Sequence, residues 1–201
     1  MIGVIVSAEP SLVRIRPAFI GWRSLGVDRD NPHPQGNTNH YFHPGQIDQF
    51  SEVDFGRSLS AEETRRIAAC EESHVKKALL AILGEPYIDN DWGGERSDAY
   101  TTQVTLDGVH KRSAWLLKGK SVRRPMRIAD LGKNGDQIDR LFTEPADLYV
   151  VQSNQKITSD VRNMLDVYAH DYRRPSRYTL LDGADTARIL LTYGELPEIE
   201  A

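Results

Sequence analysis

The sequence predicts an α/β fold: a mixed central sheet flanked by helices, behind an irregular N-terminal extension. Three observations lead there. Two strand-like runs meet across Asp107-Gly108, a strong hairpin signal. The run Ala146 to Val151, ADLYVV, reads as a buried strand. From there to the end, strand patterns alternate with helical ones, the order of a layered α/β domain.

The chain has 201 residues, enough for one domain with a real core. At 39% hydrophobic and 27% charged it has the composition of an ordinary soluble protein. Its single cysteine, Cys70, excludes an intrachain disulfide and fits a reducing, cytoplasmic compartment. No apolar run approaches the roughly 20 residues that cross a bilayer, so no membrane association is expected. The apolar start, MIGVIVSAEP, lacks a basic region before it and reads as a strand rather than a signal peptide.

Residues 2–7 and 12–16 read as short strands joined around Glu9-Pro10-Ser11. Residues 17–58 look irregular, rich in Asn, Pro, Gly, His and Asp, with scattered Phe19, Trp22, Tyr41, Phe42, Phe50 and Phe55. So long a loop suits a dimer arm or a substrate-side lid. The chain thus divides into an arm, 1–58, and an α/β core, 59–201, within one structural domain. Ser60 followed by Glu63 is a capping box. It opens a helix to about Leu83, where Gly84 and Pro86 stop it. Ala68, Val75, Leu79 and Ile82 give that helix its apolar stripe, with Glu72 on the stripe and Glu71 at its edge.

A polar loop at 87–97 precedes strands at about 99–106 and 110–118, and a further strand is expected at 126–130. Gly132 to Asp136 turns, and Gln137 to Phe142 begins a short helix. After ADLYVV, Thr158 or Ser159 caps a helix to about Tyr172. Residues 177–181 make a strand, and Gly183 or Asp185 starts a last helix to about Tyr193.

Charge is unevenly placed. The net charge is -4, yet no acidic residue lies between Asp107 and Asp130. That interval holds Lys111, Arg112, Lys118, Lys120, Arg123, Arg124 and Arg127. The stretch before it carries Glu85, Asp89, Asp91, Glu95 and Asp98. Acid beside base is what a metal site touching a phosphate backbone needs, although two solvated surface segments have the same composition. Asp98 stands at the mouth of the first central strand. On the next, Ala114, Leu116, Lys118 and Lys120 share a face by period two, and Trp115 points the opposite way into the core. Carboxylates at Asp98 and Glu72 could hold Mg²⁺, and Lys118 could steady a water or the charge on a phosphate.

This arrangement resembles the PD-(D/E)xK nuclease superfamily over roughly residues 60–155. The family's helical glutamate matches Glu72 or Glu71, its first-strand aspartate Asp98, and its second-strand lysine Lys118, followed by Gly119. A polar residue on the following helix matches Gln137. The acidic residue two before the lysine falls on Leu116, and aligning on Lys120 instead puts Lys118 there. The resemblance then implies a displaced carboxylate, from Glu72 or Asp130, in the metal shell, with the carbonyl of Leu117 as a further ligand. It implies a restriction-endonuclease-like core, Mg²⁺ (or Mn²⁺) as cofactor, and hydrolysis of DNA to 5′-phosphate ends by a homodimer. Lys120 would support the site, and Lys111, Arg112, Arg123, Arg124 and Arg127 would follow the nucleic-acid backbone. Without the displaced carboxylate, the same fold implies a non-catalytic nucleic-acid-binding or assembly protein.

Each residue also has a purely structural use. Asp98 could cap its turn, Lys118 and Lys120 could guard a strand edge, Glu72 could sit at a helix margin, and Asp136 and Gln137 could start a helix. Asp130 to Asp136 is faintly similar to the glycine-rich loop of nucleotide-methyl-donor enzymes, but Gly132 and Gly135 suit a plain turn. Gly119-Lys120-Ser121 lacks the upstream glycines of a P-loop. His40 and His43 lack an evident third metal ligand. Cys70 and His74 are four apart without an orienting group, so a buried thiol is expected. Arg162, Arg173, Arg174 and Arg177 add positive charge; Arg173 and Arg174 could extend a phosphate-binding surface without reading bases, or simply suit the helix C-terminus.

Overall fold

A computed structural model of the chain describes the backbone of residues 2–9 and 12–19, and residues 40–86, 96–170 and 176–198. The Pro10-Ser11 turn, Trp22, the acidic residues Asp89, Asp91 and Glu95, Arg173 and Arg174, and the expected helix end at Tyr172 lie outside the described residues. The chain divides into two compact units, Met1–Asn39 and His40–Ala201. In the first, strands β1 (Ile2–Glu9) and β2 (Leu12–Phe19) pair antiparallel, with register shifts at Ile2/Gly3 and Ile5/Ser7.

The second unit is a mixed α/β domain. Its sheet has the order β3 (Ala99–Leu106), β4 (Val109–Leu116), β5 (Leu148–Gln152) and β6 (Arg177–Leu181). β3 and β4 are antiparallel across the Asp107-Gly108 turn, whereas β4, β5 and β6 run parallel. Asp107 (φ 52°) and Gly108 (φ 73°) both take the positive φ that a tight hairpin turn needs. The parallel crossovers use α3 (Asp136–Thr143) and α4 (Ser159–Ala169).

Strand alternation sorts the core into two layers. Trp115, Leu117, Leu148, Val150 and Leu181 face α1 (Ala61–Ala69), α2 (Glu72–Ile82) and α5 (Gly183–Thr192). Ala114, Leu116, Tyr149, Val151 and Leu180 face α3 and α4. All five residues of β5 are buried, which is why residues 148–151, LYVV, read as an unbroken apolar run. No helix among the described residues is long and apolar enough to cross a membrane.

Residues 40–58 belong to this second unit, so the compact boundary falls at 39/40 rather than the 58/59 read from the sequence. Ile47 and Phe50 are fully buried there. Tyr41 bridges Tyr178 in parallel, adding a short segment to the outer edge of β6. Low strand and helix propensity hid these anchors, since the segment is held mainly by single turns of 3₁₀ helix at Pro44–Gln46 and Asp48–Phe50.

Two further differences bear on the site. The helix expected from Ser60 to Leu83 is two helices. The Ser60–Glu63 capping box starts α1 as read, with Glu63 N–H donating to Ser60 Oγ at 3.1 Å and Ser60 N–H to Glu63 Oε2 at 2.8 Å. The chain then becomes extended at Cys70 (ψ 137°) and Glu71 (ψ 144°) before α2 begins. The expected strand at 126–130 is a single bridge from Met126 to Ile157 followed by a 3₁₀ turn, Ile128–Asp130.

Candidate functional site

The break between α1 and α2 makes Glu72 the first residue of α2 rather than a mid-helix side chain. The break is held by tertiary contacts that override local propensity. The carbonyl of Cys70 accepts from Lys120 N–H at 3.1 Å and from Asn154 Nδ2 at 2.8 Å. Gly119 is required there, because a Cβ would collide with the Glu72 nitrogen and come within 2.7 Å of its Cα.

Glu72 and Asp98 converge on one extended segment, Leu117–Gly119, at the exit of β4. Asp98 precedes β3 and its amide donates to Trp115 O at 2.8 Å, continuing the ladder. Its Oδ2 accepts from Leu117 N–H at 2.6 Å. Glu72 Oε2 accepts from Gly119 N–H at 3.3 Å. Amides two apart on a strand face the same edge, roughly 6.6 Å from each other, so both carboxylates approach that edge. Lys118 lies between them. Its N–H donates to Gln152 O at 3.1 Å and its carbonyl accepts from Asn154 N–H at 2.9 Å, so β4 and β5 continue side by side past their strand ends. Alternation carries the Lys118 side chain onto the face of Ala114 and Leu116, opposite to Trp115.

Of the acidic position two before Lys118, the structure makes a core site. Leu116 is 3% exposed and packs with Ile138, Val161 and Leu165. Among the described residues no three His, Cys, Asp or Glu side chains form a metal-holding group. Asp130 is placed elsewhere: its Oδ2 accepts from Arg124 Nη1 at 2.7 Å and from Arg127 N–H at 2.8 Å. Burial pulls its carboxyl upward, but those two donors outweigh it and leave the pKa below the ordinary aspartate value. Gln137, on α3, has a buried Oε1 with no hydrogen-bond partner, and its Cγ lies beside Gly132.

An open cleft of about 840 Å³ adjoins the segment, with Glu71, Glu72, Gly119, Lys120, Arg65 and Arg123 in its wall. Glu72 opens onto it, whereas Asp98 and Lys118 lie outside its lining. Lys120 pairs with Glu71 at its rim. The basic residues therefore separate into groups. Lys120 and Arg123 flank the cleft, and Arg124 and Arg127 bind Asp130. Lys111 and Arg112 lie toward the opposite end of β4, about 20 Å from Lys118 along an extended strand. There Arg112 forks onto Asp147, with Nη2–Oδ1 at 2.9 Å and Nε–Oδ2 at 3.1 Å, beside a smaller cleft of about 370 Å³ that also takes in Arg177.

The remaining sequence candidates have structural partners. His40 Nδ1 meets Ser176 O at 2.8 Å, and His43 caps the Pro44–Gln46 turn. Cys70 is 4% exposed. Burial first, and then the charge of Glu71, push its thiol up to about 11, which suppresses a thiolate nucleophile. His74 Nε2 lies 2.8 Å from Glu195 O. Gly132 (φ 84°) and Gly135 (φ 80°) serve the turn before α3.

Gln152, Ser153 and Asn154 were not singled out from the sequence, yet they are buried beside Lys118 and Cys70. A signal for them existed: three polar residues directly follow the apolar ADLYVV run, at the carboxyl end of a parallel strand where α/β folds gather functional groups. No family model matches the chain, and neither a curated protein nor a solved structure is detectably similar to it.

Proposed function

We propose that this protein is a metal-dependent nuclease hydrolysing DNA phosphodiesters, a divergent PD-(D/E)xK member with a restriction-endonuclease-like core. The observation that carries the reading is the convergence of Glu72 and Asp98, from two separate elements, on the amides either side of Lys118, with Glu72 on the wall of an open cleft. The donor chemistry suits Mg²⁺ or Mn²⁺. These hard cations take oxygen ligands, and Mg²⁺ binds through one or two carboxylates while keeping several waters. Glu72 and Asp98 would hold the ion, with the Leu117 carbonyl on the same strand edge as its N–H. Such an ion supplies a lowered water pKa and stabilisation of charge on the phosphate. Lys118 places a cation beside the scissile group, while Lys120, Arg123 and Arg65 draw the backbone into the cleft. A cytoplasmic homodimer acting on both strands belongs to the same proposal.

Incubating supercoiled and linear DNA with Mg²⁺, Mn²⁺ or EDTA, alongside Asp98→Ala and Lys118→Ala, tests it. Cation-dependent cutting that both variants lose, with unchanged circular dichroism, is the expected result. EDTA-resistant cutting, or variants as active as wild type, would overturn the proposal.

A second reading has its own observation. Leu116 is core where the family pattern has an acid, and Glu72 and Asp98 each hold a backbone amide, which is a structural task in itself. On that reading the protein binds nucleic acid or joins an assembly without catalysis. It is favoured if salt-sensitive DNA binding occurs with no cutting and survives Asp98→Ala.

A further inference from the structure

Behind the candidate site runs a continuous buried polar relay. Gln152 is 0% exposed and Asn154 is 3% exposed. The Oε1 of Gln152 accepts from Lys118 N–H at 3.3 Å, sharing that donor with the Gln152 carbonyl. Its Nε2 donates to Asn154 Oδ1 at 2.9 Å and to Thr186 Oγ1 at 3.3 Å. Thr186, on the first turn of α5, donates to Asp182 O at 2.8 Å, so its hydroxyl is oriented to accept. Asn154 Nδ2 then donates to Cys70 O at 2.8 Å, and the same carbonyl receives Lys120 N–H. Gly183 closes the packing, since a Cβ there would come within 2.8 Å of the Asn154 carbonyl carbon.

Each amide group in this relay uses its donor and its acceptor in a fixed sense. The Gln152 carbonyl oxygen faces a donor, its NH₂ faces two acceptors, and the Asn154 amide hands the direction on to Cys70. Burying two primary amides is costly unless they are bonded, so an apolar packing would be easier if stability were the only demand. What the relay joins is specific: the exit of β4 at Lys118, the extended link before α2 at Cys70, and the start of α5. The first is Lys118 itself, and the second lies two residues before Glu72.

We propose that Gln152 and Asn154 are positioning residues that clamp the α2 N-terminus to the β4 exit and so fix Glu72 relative to Lys118, with Thr186 orienting Gln152. The proposal rests on the nuclease reading for its functional consequence, but the clamp itself is testable without it. Asn154→Asp keeps the shape and the acceptor, loses the donor to Cys70, and sets a carboxylate against a carbonyl. Thr186→Val removes the hydroxyl at nearly constant volume, and Thr186→Ser restores it.

Hydrogen exchange and cation titration of cleavage decide the matter together. In Asn154→Asp and Thr186→Val, exchange should rise about tenfold at the amides of Glu72–Val75 and Gly119–Lys120 while the α3–α4 layer keeps its protection. The Mg²⁺ concentration for half-maximal cleavage should rise several-fold in both, with Thr186→Ser at the wild-type value. Exchange that rises uniformly across the sheet, or nowhere, overturns the clamp. A local rise with an unchanged Mg²⁺ midpoint overturns the positioning role. A wild type that does not cleave defeats the nuclease reading instead, and the exchange pattern then decides the clamp alone. Should Asn154→Asp not fold, the Thr186 pair carries the same test.

Discussion

At the hairpin end of β4, polar groups are satisfied at the exposed surface; at its exit they are satisfied in a part-buried setting. Asp48 reaches the hairpin turn, accepting from Asp107 N–H at 3.0 Å and Gly108 N–H at 2.7 Å, and Arg112 meets Asp147 in solvent. At the exit, Leu117 N–H is held by Asp98, Gly119 N–H by Glu72, and Lys118 N–H by Gln152. The contrast teaches where constraint resides. The hairpin end tolerates change because water can replace each partner. The exit cannot, because a lost partner there leaves a buried group unpaired.

Substitution of one glycine at each end gives the largest difference. Gly119→Ala drives a methyl into the α2 backbone and should cost about 3 kcal/mol by overpacking, read from urea unfolding. Gly108→Ala meets nothing within 4 Å and should cost only about 1 kcal/mol for its positive φ. Equal costs would break the comparison. Next, Asp98→Ala strips the partner from the amide of Leu117, a residue 1% exposed, and should destabilise by about 1–3 kcal/mol. A loss well below this would mean that water enters the exit as freely as the hairpin.

Acid titration sharpens the contrast at the other end. The Gly108 N–H holds the Asp48 carboxyl below its ordinary value, helped by Thr105 and Asp107. Glu63 is lowered to about 2, chiefly by Arg57 and then by the Ser60 amide. For a carboxylate lowered on folding, the stabilisation is present above the unfolded value of about 4 and disappears as pH falls through the folded one. The urea midpoint should therefore fall from pH 5 toward pH 2, and Asp48→Asn should fall less steeply. Identical slopes would remove Asp48 from the account. Smallest of all, Val109→Thr, at a residue 54% exposed beside the hairpin turn, should change stability by no more than about 0.5 kcal/mol.

Separation along the chain governs what could be read from the sequence. The Asp107-Gly108 hairpin, the Ser60–Glu63 box, the buried run of β5 and the limits of β6 and α5 all rest on neighbours in sequence, and all stand where the residues put them. The break at Cys70 does not. Ala68 to Val75 keeps helical spacing, and only the approach of Gly119, Lys120 and Asn154 from up to 84 residues away makes the chain extend there. The juxtaposition of Asp98 with the β4 exit followed from hairpin pairing. The relay through Gln152 and Asn154 depended on two parallel crossovers, whose register no local pattern announces.

Titration of purified protein with Mn²⁺, followed by calorimetry or electron paramagnetic resonance, tests the proposed site most directly, in wild type, Glu72→Gln and Asp98→Asn. Saturable binding that both isosteric variants weaken at least about tenfold is the expected result. Binding that neither variant alters, or none in a folded wild type, would contradict a metal centre at Glu72 and Asp98.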